Sequence, residues 1–457
     1  MDGSRWEEVW DDALISGDPL RTPGYAERLA ELDGESVRTG RTASHVRIEG
    51  RFDVLGGSMG LVHGERVVRA FDRAIDLGLP VVCVTRTGGA RMQEGMVSLV
   101  QLGRTAAAVR RHREAGLLSV AVLGSPTTGG VLASYASLCS VRVAEAGAVI
   151  GFAGPRVVAG TSGVDLDDTS HSAEAALAAG LVDGVAEADG LEAWVEVALA
   201  QRDRPLPPRS LPEASEDGVD GRGGPAWREV VAARRPDRPT GIDLASALAD
   251  SWLDLAASDP TVRTGLARVG DRQLVVVASD RHVAGGRPTP AGFRQARRAI
   301  ALAGQLGRPL LALVDTPGAD AGPESENGAI AREIAQTFAA MDRAPVPTVA
   351  VCVGEGGSGG ALALAWADSL LIQEHAVFSV IAPEGAAAIL ERDPAKAPEV
   401  AEHLALTSTA LRDLGVVDAV VPDDPAGAVE AIRSALDDVP VGRRQTRPDA
   451  VSAAGLA

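Results

Sequence analysis

The feature that most constrains the fold is an internal repeat, because the two halves of the chain carry the same motifs in the same order, 229 residues apart. In each half a proline leads into a short apolar run and a glycine turn, and a second glycine turn follows 41 residues later. The turns are marked by Gly89 and Gly130 in the first half and by Gly318 and Gly359 in the second. Five matches in one order predict a duplicated unit. The alternative is two unrelated α/β domains whose sequences carry the same general succession of strand, turn and helix signals.

Each half alternates short apolar runs with helical segments, which is the pattern of an α/β layered fold. A strong helix is predicted from Met96 to Ala115, and Gly328 to Met341 is its counterpart in the second half. The spacing of Leu99, Leu102 and Val109 places them on one face of the first of these helices, which we expect to be the buried one.

The composition along the chain also predicts its domain organisation. A proline-, glycine- and acid-rich stretch separates the halves and is typical of a linker. The predicted order is a polar helical lead-in (1–40), an N-terminal domain (41–202), a linker (203–224), a C-terminal domain (225–430) and a loose tail (440–457).

Charge and lysine content exclude several classes of function. The net charge of −18 argues against nucleic-acid binding, which needs a basic surface. The only lysine, Lys396, lies in a polar, proline-flanked stretch. Because a P-loop requires a lysine on the phosphates and a pyridoxal enzyme requires a buried lysine, both classes are excluded.

Cysteine and histidine usage predicts no metal site. The three cysteines, Cys83, Cys139 and Cys352, lie far apart in apolar runs, and the seven histidines are scattered. We therefore expect buried thiols in a reducing cytoplasm, without zinc or disulfide bonds. The chain has no apolar run long enough to span a bilayer, and its acidic start does not resemble a signal peptide.

The candidate chemistry lies in four glycine turns: Gly88-Gly89, Gly129-Gly130, Pro317-Gly318 and Gly356 to Gly360. A strand, a glycine turn and a helix in succession direct free backbone N–H groups at a bound anion, and the helix dipole assists. Two such turns per half predict two oxyanion holes, which suits a reaction with two enolate-like charges.

Two other chemistries are weaker. Ser358 lies between two glycines but lacks the G-x-S-x-G form of a hydrolase nucleophile, and no His–Asp partner can be named for it. Glu94 or Glu355 could belong to a catalytic carboxylate pair. A helix-capping role near an N-terminus is the favoured interpretation for both.

These motifs resemble a known family. The first half resembles the beta subunit of the bacterial acetyl-CoA carboxylase carboxyltransferase, and the second half resembles the alpha subunit. In the first half the resemblance rests on Gly56–Gly60, Gly88–Gly95, Ser125–Val131 and Phe152–Gly154. In the second half it rests on Pro288–Arg294, Asp315–Ala319, Gly354–Ala361 and Ser379–Gly385. It runs from about residue 45 to 200 and from about residue 225 to 425.

The resemblance implies two tandem crotonase-like domains, each a spiral of ββα units, with divided roles. The first would bind the acyl-CoA, and the second would bind carboxybiotin presented by a carrier protein. Carboxybiotin would release carbon dioxide, the biotin anion would take the α-proton, and the enolate would attack the carbon dioxide to give malonyl-CoA or its analogue. No side-chain base is required.

The resemblance also implies roles for particular residues. Gly129 and Gly130 would hold the thioester oxygen, with Gly88 and Gly89 nearby. The ureido oxygen of biotin would be held by Gly359, Gly360 and Ala361. The residues assigned to cofactor binding are Gly318, Gly357, Arg86, Arg91 and Arg156. The three arginines are candidates for the coenzyme A phosphates, and ordinary surface arginines are the equal alternative.

The implied partners are a biotin carboxyl carrier protein, a biotin carboxylase and at least one second copy of this chain, in fatty-acid or specialised metabolism. Departures from the family leave the substrate open. The usual zinc ribbon is absent, with Asp2–Gly40 in its place, and the loops Asp280–Arg287 and Asp320–Asn327 are short. Two alternatives remain: a biotin-independent malonyl-thioester decarboxylase on the same fold, and a catalytically silent assembly subunit.

Overall fold

The computed structural model describes residues 6–154, 158, 170–212, 223–256, 258–439 and 442–455. The chain divides into two compact units, Met1–Arg202 and Asp203–Ala457. Each unit contains one mixed sheet of eight strands among the described residues. In the part of the chain that is described, no helix is both long enough and apolar enough to cross a bilayer.

The first unit builds its sheet around parallel strands flanked by helices. Its strands are β1 (Glu8–Trp10), β2 (Val37–Arg41), β3 (Val46–Gly50), β4 (Val81–Thr87), β5 (Ser119–Thr128), β6 (Val141–Glu145), β7 (Ile150–Gly151) and β8 (Gly184–Ala186). Its helices are α1 (Tyr25–Ala30), α2 (Leu61–Leu77), α3 (Gly95–Glu114), α4 (Gly129–Val131), α5 (Ala173–Ala178) and α6 (Leu191–Ala198). Short 3₁₀ turns lie at Leu55–Gly57 and Met92–Glu94, and a π-helical turn, Leu132–Ala136, follows α4.

The second unit repeats this scheme with additional helices. Its strands are β9 (Ser251–Leu255), β10 (Val262–Val269), β11 (Arg272–Ser279), β12 (Leu310–Thr316), β13 (Thr348–Gly357), β14 (Ser369–Gln373), β15 (Val377–Ser379) and β16 (Ala419–Val421). Its helices are α7 (Pro225–Ala233), α8 (Gly241–Leu248), α9 (Pro290–Leu306), α10 (Pro323–Asn327), α11 (Ile330–Arg343), α12 (Ser358–Ala365), α13 (Pro383–Leu390), α14 (Ala397–Ala401), α15 (Ser408–Asp413), α16 (Pro425–Asp437) and α17 (Arg443–Gly455). Two 3₁₀ turns lie at Ala284–Gly286 and Pro394–Lys396.

The two sheets have the same topology. The first runs β1-β2-β3-β4-β5-β6-β8 with β7 beside β5, and the second runs β9-β10-β11-β12-β13-β14-β16 with β15 beside β13. In both, the first two pairings are antiparallel and all later ones are parallel. This identity confirms the predicted duplication and the tandem α/β fold.

The strand register confirms the offset of the repeat to the residue. Val81 pairs with Ser119 between β4 and β5, and Leu310 pairs with Thr348 between β12 and β13. Both ladders shift register at the equivalent place, after Thr85 in one and after Val314 in the other. The central strands are buried along nearly their whole length, as expected of parallel strands covered on both faces.

Helix α3 has nearly the predicted bounds, but the predicted buried face is wrong in part. Leu99 is 47% exposed, whereas Gln101, Thr105 and His112 are buried. The reason lies on α2, where the absence of a side chain at Gly64 leaves room for Gln101: a Cβ on Gly64 would lie 2.5 Å from the Cβ of Gln101. The polar side of α3 therefore faces α2.

The chain ends also differ from the sequence expectation. The lead-in contains β1, one short helix and part of β2, and Asp11 pairs with Arg69 and Arg73 of α2. In the tail, α17 is anchored by buried Arg444 and Arg447, which pair with Asp368 and Asp418 respectively. The polarity that predicted a helical lead-in and a loose tail belongs in part to arginine–carboxylate pairs.

Part of the predicted linker belongs to the second unit. Leu206 is buried in that unit's core, and Arg209 pairs with Asp243 and Asp280. Residues 213–222 lie outside the described residues. The three cysteines are free and buried, as predicted.

Candidate active site

In the first unit, the glycine turns after β4 and β5 pack against each other. Gly129 starts α4 with φ +62°, and a Cβ placed on it would lie 2.7 Å from the Cα of Gly89. Gly89 itself has φ +115°. Only residues without a side chain allow two backbones to approach this closely. The predicted turns are therefore brought together by backbone contact.

Three of the four predicted N–H donors of this unit are already engaged in hydrogen bonds within the fold. Gly88 donates to the carbonyl of Gly56 at 2.8 Å, and Gly129 donates to the carbonyl of Phe152 at 2.9 Å. Gly89 donates to Oγ1 of Thr87 at 3.0 Å. These three N–H groups are used by the fold itself, so the role predicted for them as anion donors is revised to one of shaping the turn.

Gly130 differs from the other three glycines. It is the second residue of α4, and N–H groups in the first turn of a helix have no acceptor within that helix. It is buried beside Leu102 of α3. The helix start adds a partial positive charge at this point. Gly130 is therefore the predicted donor that best suits an oxyanion.

The second unit repeats the arrangement. Gly318 has φ +129° and donates its N–H to Oγ1 of Thr316 at 3.1 Å, as Gly89 does to Thr87. A Cβ on Gly357 would lie 2.0 Å from the carbonyl oxygen of Pro317, and one on Gly360 would lie 2.8 Å from the nitrogen of Ala319. The turn and the start of α12 are thus packed backbone to backbone.

Helix α12 supplies the N–H groups of the second site. Gly357 is its N-cap, so Ser358, Gly359 and Gly360 form the first turn, and their N–H groups precede the first intrahelical donor. Ala361 is the fourth helical residue and is completely buried. Gly359 and Gly360 are therefore the predicted donors best placed for an anion, while Ala361 begins the helical hydrogen-bond ladder.

A bulge in β13 positions the second site. Where the register shifts, Oδ1 of Asp315 accepts the N–H of Glu355 at 3.0 Å, and Arg238 donates to the carbonyl of Val353 at 2.8 Å. Asp315 is fully buried and its Oδ2 has no hydrogen-bond partner. Burial raises the pKa of Asp315 to about 6, although the guanidinium of Arg281 acts in the opposite direction.

The three arginines predicted for coenzyme A phosphates have different surroundings. Arg91 is 1% exposed and forms an ion pair with Glu35, so its guanidinium is committed to the interior. Arg86 is exposed, with its side chain 45% accessible, and pairs with Glu145 at 2.8 Å. Arg156 lies outside the described residues. Of the two described arginines, Arg86 is the one suited to a phosphate.

The two carboxylates considered as catalytic both have structural partners. Glu94 is completely buried and accepts hydrogen bonds from the hydroxyl groups of Ser16 and Tyr25 and from the N–H of Leu61, at the start of α2. Glu355 pairs with Arg234 at 2.7 Å. Glu94 therefore caps a helix, as the favoured interpretation held, although the helix is α2 rather than α3.

Sequence reasoning missed a buried polar cluster behind the first glycine turn. His63 is 1% exposed, and its Nδ1 and Nε2 lie 2.8 Å from Oγ of Ser36 and 3.2 Å from the hydroxyl of Tyr135. Burial lowers the pKa of His63 to about 3. These partners are separated by tens of residues, so no local motif could have indicated them. The described residues contain no group of three or more potential metal-binding side chains.

The chain matches two protein-family models in succession. Residues 36–202 match the carboxyl transferase domain, and residues 225–442 match the acetyl co-enzyme A carboxylase carboxyltransferase-like family. The acetyl-coenzyme A carboxylase carboxyl transferase subunits beta/alpha of Salinispora tropica are 43% identical over 89% of this chain and 79% of the relative. The chain belongs to the family of biotin-dependent acyl-coenzyme A carboxyltransferases. The resemblance drawn from the motifs is thereby confirmed.

Other similar proteins broaden the comparison. A probable biotin-dependent acyl-coenzyme A carboxylase beta3 subunit of Mycobacterium tuberculosis is 38% identical over 93% of this carboxyltransferase and 88% of the relative. Among solved structures, transcarboxylase 12S, a hexamer crystallised with methylmalonyl-coenzyme A, matches with a TM-score of 0.75 at 26% identity. That match covers 90% of this chain and 83% of the other.

Proposed function

We propose that this carboxyltransferase moves a carboxyl group from carboxybiotin, held on a separate carrier protein, to a short acyl-CoA. With acetyl-CoA as acceptor the product is malonyl-CoA. The observation that carries the proposal is the pair of equivalent helix starts, at Gly130 in one unit and at Gly359 and Gly360 in the other. Each is packed against a glycine turn that leaves no room for a side chain.

The two helix starts suit the two oxygens on which charge develops. We assign the N–H of Gly130 to the thioester oxygen and those of Gly359 and Gly360 to the ureido oxygen of biotin. Fixed N–H donors at a helix start stabilise developing negative charge without reorganising during the reaction. The crowding at Gly129 and Gly357 fits this role, since any Cβ there would displace the turn beneath the donors.

The chain's own contribution is binding and charge stabilisation rather than proton transfer by a side chain. When bound, carboxybiotin would supply the transferable carboxyl group, and the ureido nitrogen freed by its release would accept the α-proton of the acyl group. Gly130 holds the thioester oxygen while the acyl α-carbon loses its proton, which favours the enolate. Glu94 and Glu355 are held by structural partners, so neither is assigned as the base. We assign Arg86 to a coenzyme A phosphate, which would replace its contact with Glu145.

The acyl group and the partners belong to the same proposal. Relatives are named both as acetyl-coenzyme A and as acyl-coenzyme A carboxylase components, and we take acetyl-CoA as the first acceptor to test. A biotin carboxyl carrier protein and a biotin carboxylase are the expected partners, and a homodimer or larger assembly is the expected state. Fatty-acid biosynthesis and a cytoplasmic location stay predictions.

The test is turnover of malonyl-CoA by the purified chain, with and without free biotin, in parallel with methylmalonyl-CoA. We expect acetyl-CoA to form from malonyl-CoA only when biotin is present. Equal rates without biotin would support the biotin-independent decarboxylase instead. Absence of turnover with either thioester, with the chain folded, would favour the silent assembly subunit.

A further inference from the structure

The first unit contains a buried polar cluster directly behind its glycine turn. We call it the Arg91 cluster and define it as Tyr25, Glu35, Ser36, His63 and Arg91. All five are buried, and Arg91 is 1% exposed. The guanidinium of Arg91 pairs with Glu35 and donates to the hydroxyls of Ser36 at 2.9 Å and Tyr25 at 3.3 Å. The ion pair holds the pKa of Glu35 at about 2 against the opposing effect of burial.

Arg91 joins two turns that meet at the acyl side of the site. Its guanidinium donates to the carbonyl of Ser58 at 2.8 Å, and its backbone N–H donates to the carbonyl of Met59 at 3.0 Å. The same two segments are also bonded through Gly88 to Gly56 and through Met59 to Gly89. Gly89 in turn packs on Gly129, at the start of α4. Displacement of Arg91 would therefore be transmitted to α4.

The second unit shows that the fold does not require this guanidinium. At the position equivalent to Arg91 stands Asp320, whose backbone N–H donates to the carbonyl of Pro288 at 2.9 Å, the same bond that Arg91 makes to Met59. The Asp320 carboxylate instead accepts from the hydroxyl of Ser325. The backbone hydrogen bond is common to the two units, whereas the buried ion pair with Glu35 is a feature of the glycine turn in the first unit.

We propose that Arg91 is a positioning residue for the thioester site, because its buried pair with Glu35 fixes the Gly56–Met59 and Gly88–Gly89 segments beneath Gly130. This inference rests on the proposed function, which places the acyl-CoA in the first unit. A buried ion pair contributes little net stability over apolar residues of similar size. What it can supply is a fixed geometry for groups that support a site.

The test compares stability with catalysis in the full-length chain. The double variant Arg91→Met with Glu35→Leu replaces the ion pair by apolar side chains. We expect its Tm to fall, because Glu94, which lies 3.7 Å from the guanidinium and is also buried, loses this partner. We expect kcat for biotin-dependent malonyl-CoA turnover to fall about 100-fold with KM little changed, because a misplaced donor loses transition-state stabilisation. Amide exchange at Gly88 and Met59 should become faster.

Arg66→Met is the matched control. Arg66 is also buried in the first unit, but it donates to the carbonyls of Val37 and Leu14 and to Asp12, away from the glycine turns. We expect this variant to lower Tm while kcat and exchange at Gly88 stay at wild-type values. If the double variant does not fold, Glu35→Gln, which keeps the volume of the cluster, takes its place with an expected loss of about 10-fold in kcat.

Two results would overturn the inference. One is wild-type kcat and wild-type exchange at Gly88 and Met59 in the pair-replacement variant. The other is an equal loss of kcat in Arg66→Met, which would reduce the effect to general destabilisation. If the wild type itself turns over no thioester, the proposed function fails. The exchange rates alone then decide whether Arg91 holds the turns.

Discussion

At the scale of single residues, alanine substitution of Gly129 tests the site. Comparison with a control glycine separates the cost of backbone strain from the cost of the contact with Gly89. Gly129→Ala would place a Cβ 2.7 Å from the Cα of Gly89 at a φ of +62°. We expect a loss of stability above the 1–2 kcal/mol or so of a left-handed alanine, together with a kcat lowered at least about 10-fold. Thermal unfolding and malonyl-CoA turnover measure the two effects.

Gly147→Ala is the control for that substitution. Gly147 lies in the same unit with φ +71°, and a Cβ there would meet nothing within 4 Å. It carries the same backbone cost without the contact at the turn, so kcat should not change. Equal activity of the two alanine variants would mean that the packing of Gly89 on Gly129 has no part in catalysis.

The individual residues show how far the sequence could predict the site. The glycines were identifiable because a turn without room for a Cβ selects glycine locally. The bond from Gly89 to Thr87 is local. By contrast, that Gly88 and Gly129 donate their N–H groups to Gly56 and Phe152 depends on tertiary contacts and has no local signal. The same is true of Arg91, which resembles a surface arginine in the sequence and is buried against Glu35, 56 residues away.

Among the elements, the β12–β13 bulge carries a prediction about pH. The folded-state pKa of Asp315 is about 6, above the ordinary value near 3.8. The folded chain therefore binds this proton more tightly than the unfolded chain, so stability falls as the pH rises from 3.8 to about 6, and the full loss is present above that. Asp315→Asn retains an oxygen for the N–H of Glu355. We expect a higher Tm than the wild type at pH 7.5 and a smaller difference at pH 5.

The change in Tm on substituting Asp315 depends on whether the fold needs the negative charge of this side chain or only its hydrogen-bond acceptor. A lower Tm for Asp315→Asn at both pH values would show that the charge itself is needed, through Arg281 and Arg238. Asp243→Asn serves as the comparison, since that carboxylate pairs with Arg209 and caps α8 in the same unit. Its substitution should lower Tm at pH 7.5.

The strands were more predictable than the helix faces for a physical reason. Parallel strands buried on both sides require continuous apolar runs, which are local signals, so β4, β5, β12 and β13 could be located from the sequence. The buried side of α3 is polar because Gly64 on α2 makes room for Gln101, and that is a property of the pair. The lead-in and α17 were misjudged because their anchors are ion pairs between distant residues.

Across the whole molecule, buried histidines make the first unit sensitive to acid. Burial lowers the pKa of His63 to about 3 and that of His45 to about 4, and it lowers the pKa of His112 as well. Unfolded histidines bind protons below about pH 6.5 and these folded ones do not, so stability falls as the pH drops from there. Between about pH 6 and pH 4 the loss is about 1.4 kcal/mol per pH unit for each of His63 and His45.

Calorimetry between pH 7.5 and 5 tests this expectation. The transition of the first unit should move to lower temperature more than that of the second, whose histidines His282, His375 and His403 are exposed. His112→Gln should reduce the shift. Parallel movement of both transitions would contradict the assignment of the acid sensitivity to these side chains.

Self-association is the remaining prediction for the whole molecule. Met92, in the 3₁₀ turn before α3, and Met96, in the first turn of α3, are 88% and 69% exposed, and large apolar side chains exposed together are typical of an interaction surface. Sedimentation of the pure chain should give at least twice the 46.9 kDa of one copy. Met92→Glu with Met96→Glu should lower that mass. A wild-type chain that sediments as a monomer would exclude the expected homo-oligomer.

The matching registers of the two sheets mean that the chain carries its own internal comparison. The position held by Arg86 at the bulge of the first copy is held by Asp315 in the second, so charges of opposite sign occupy one backbone location. The two copies therefore share their backbone geometry and differ in charge at this position. Exchanging these two residues would test how far the ligand proposed for each copy depends on the charge at this position.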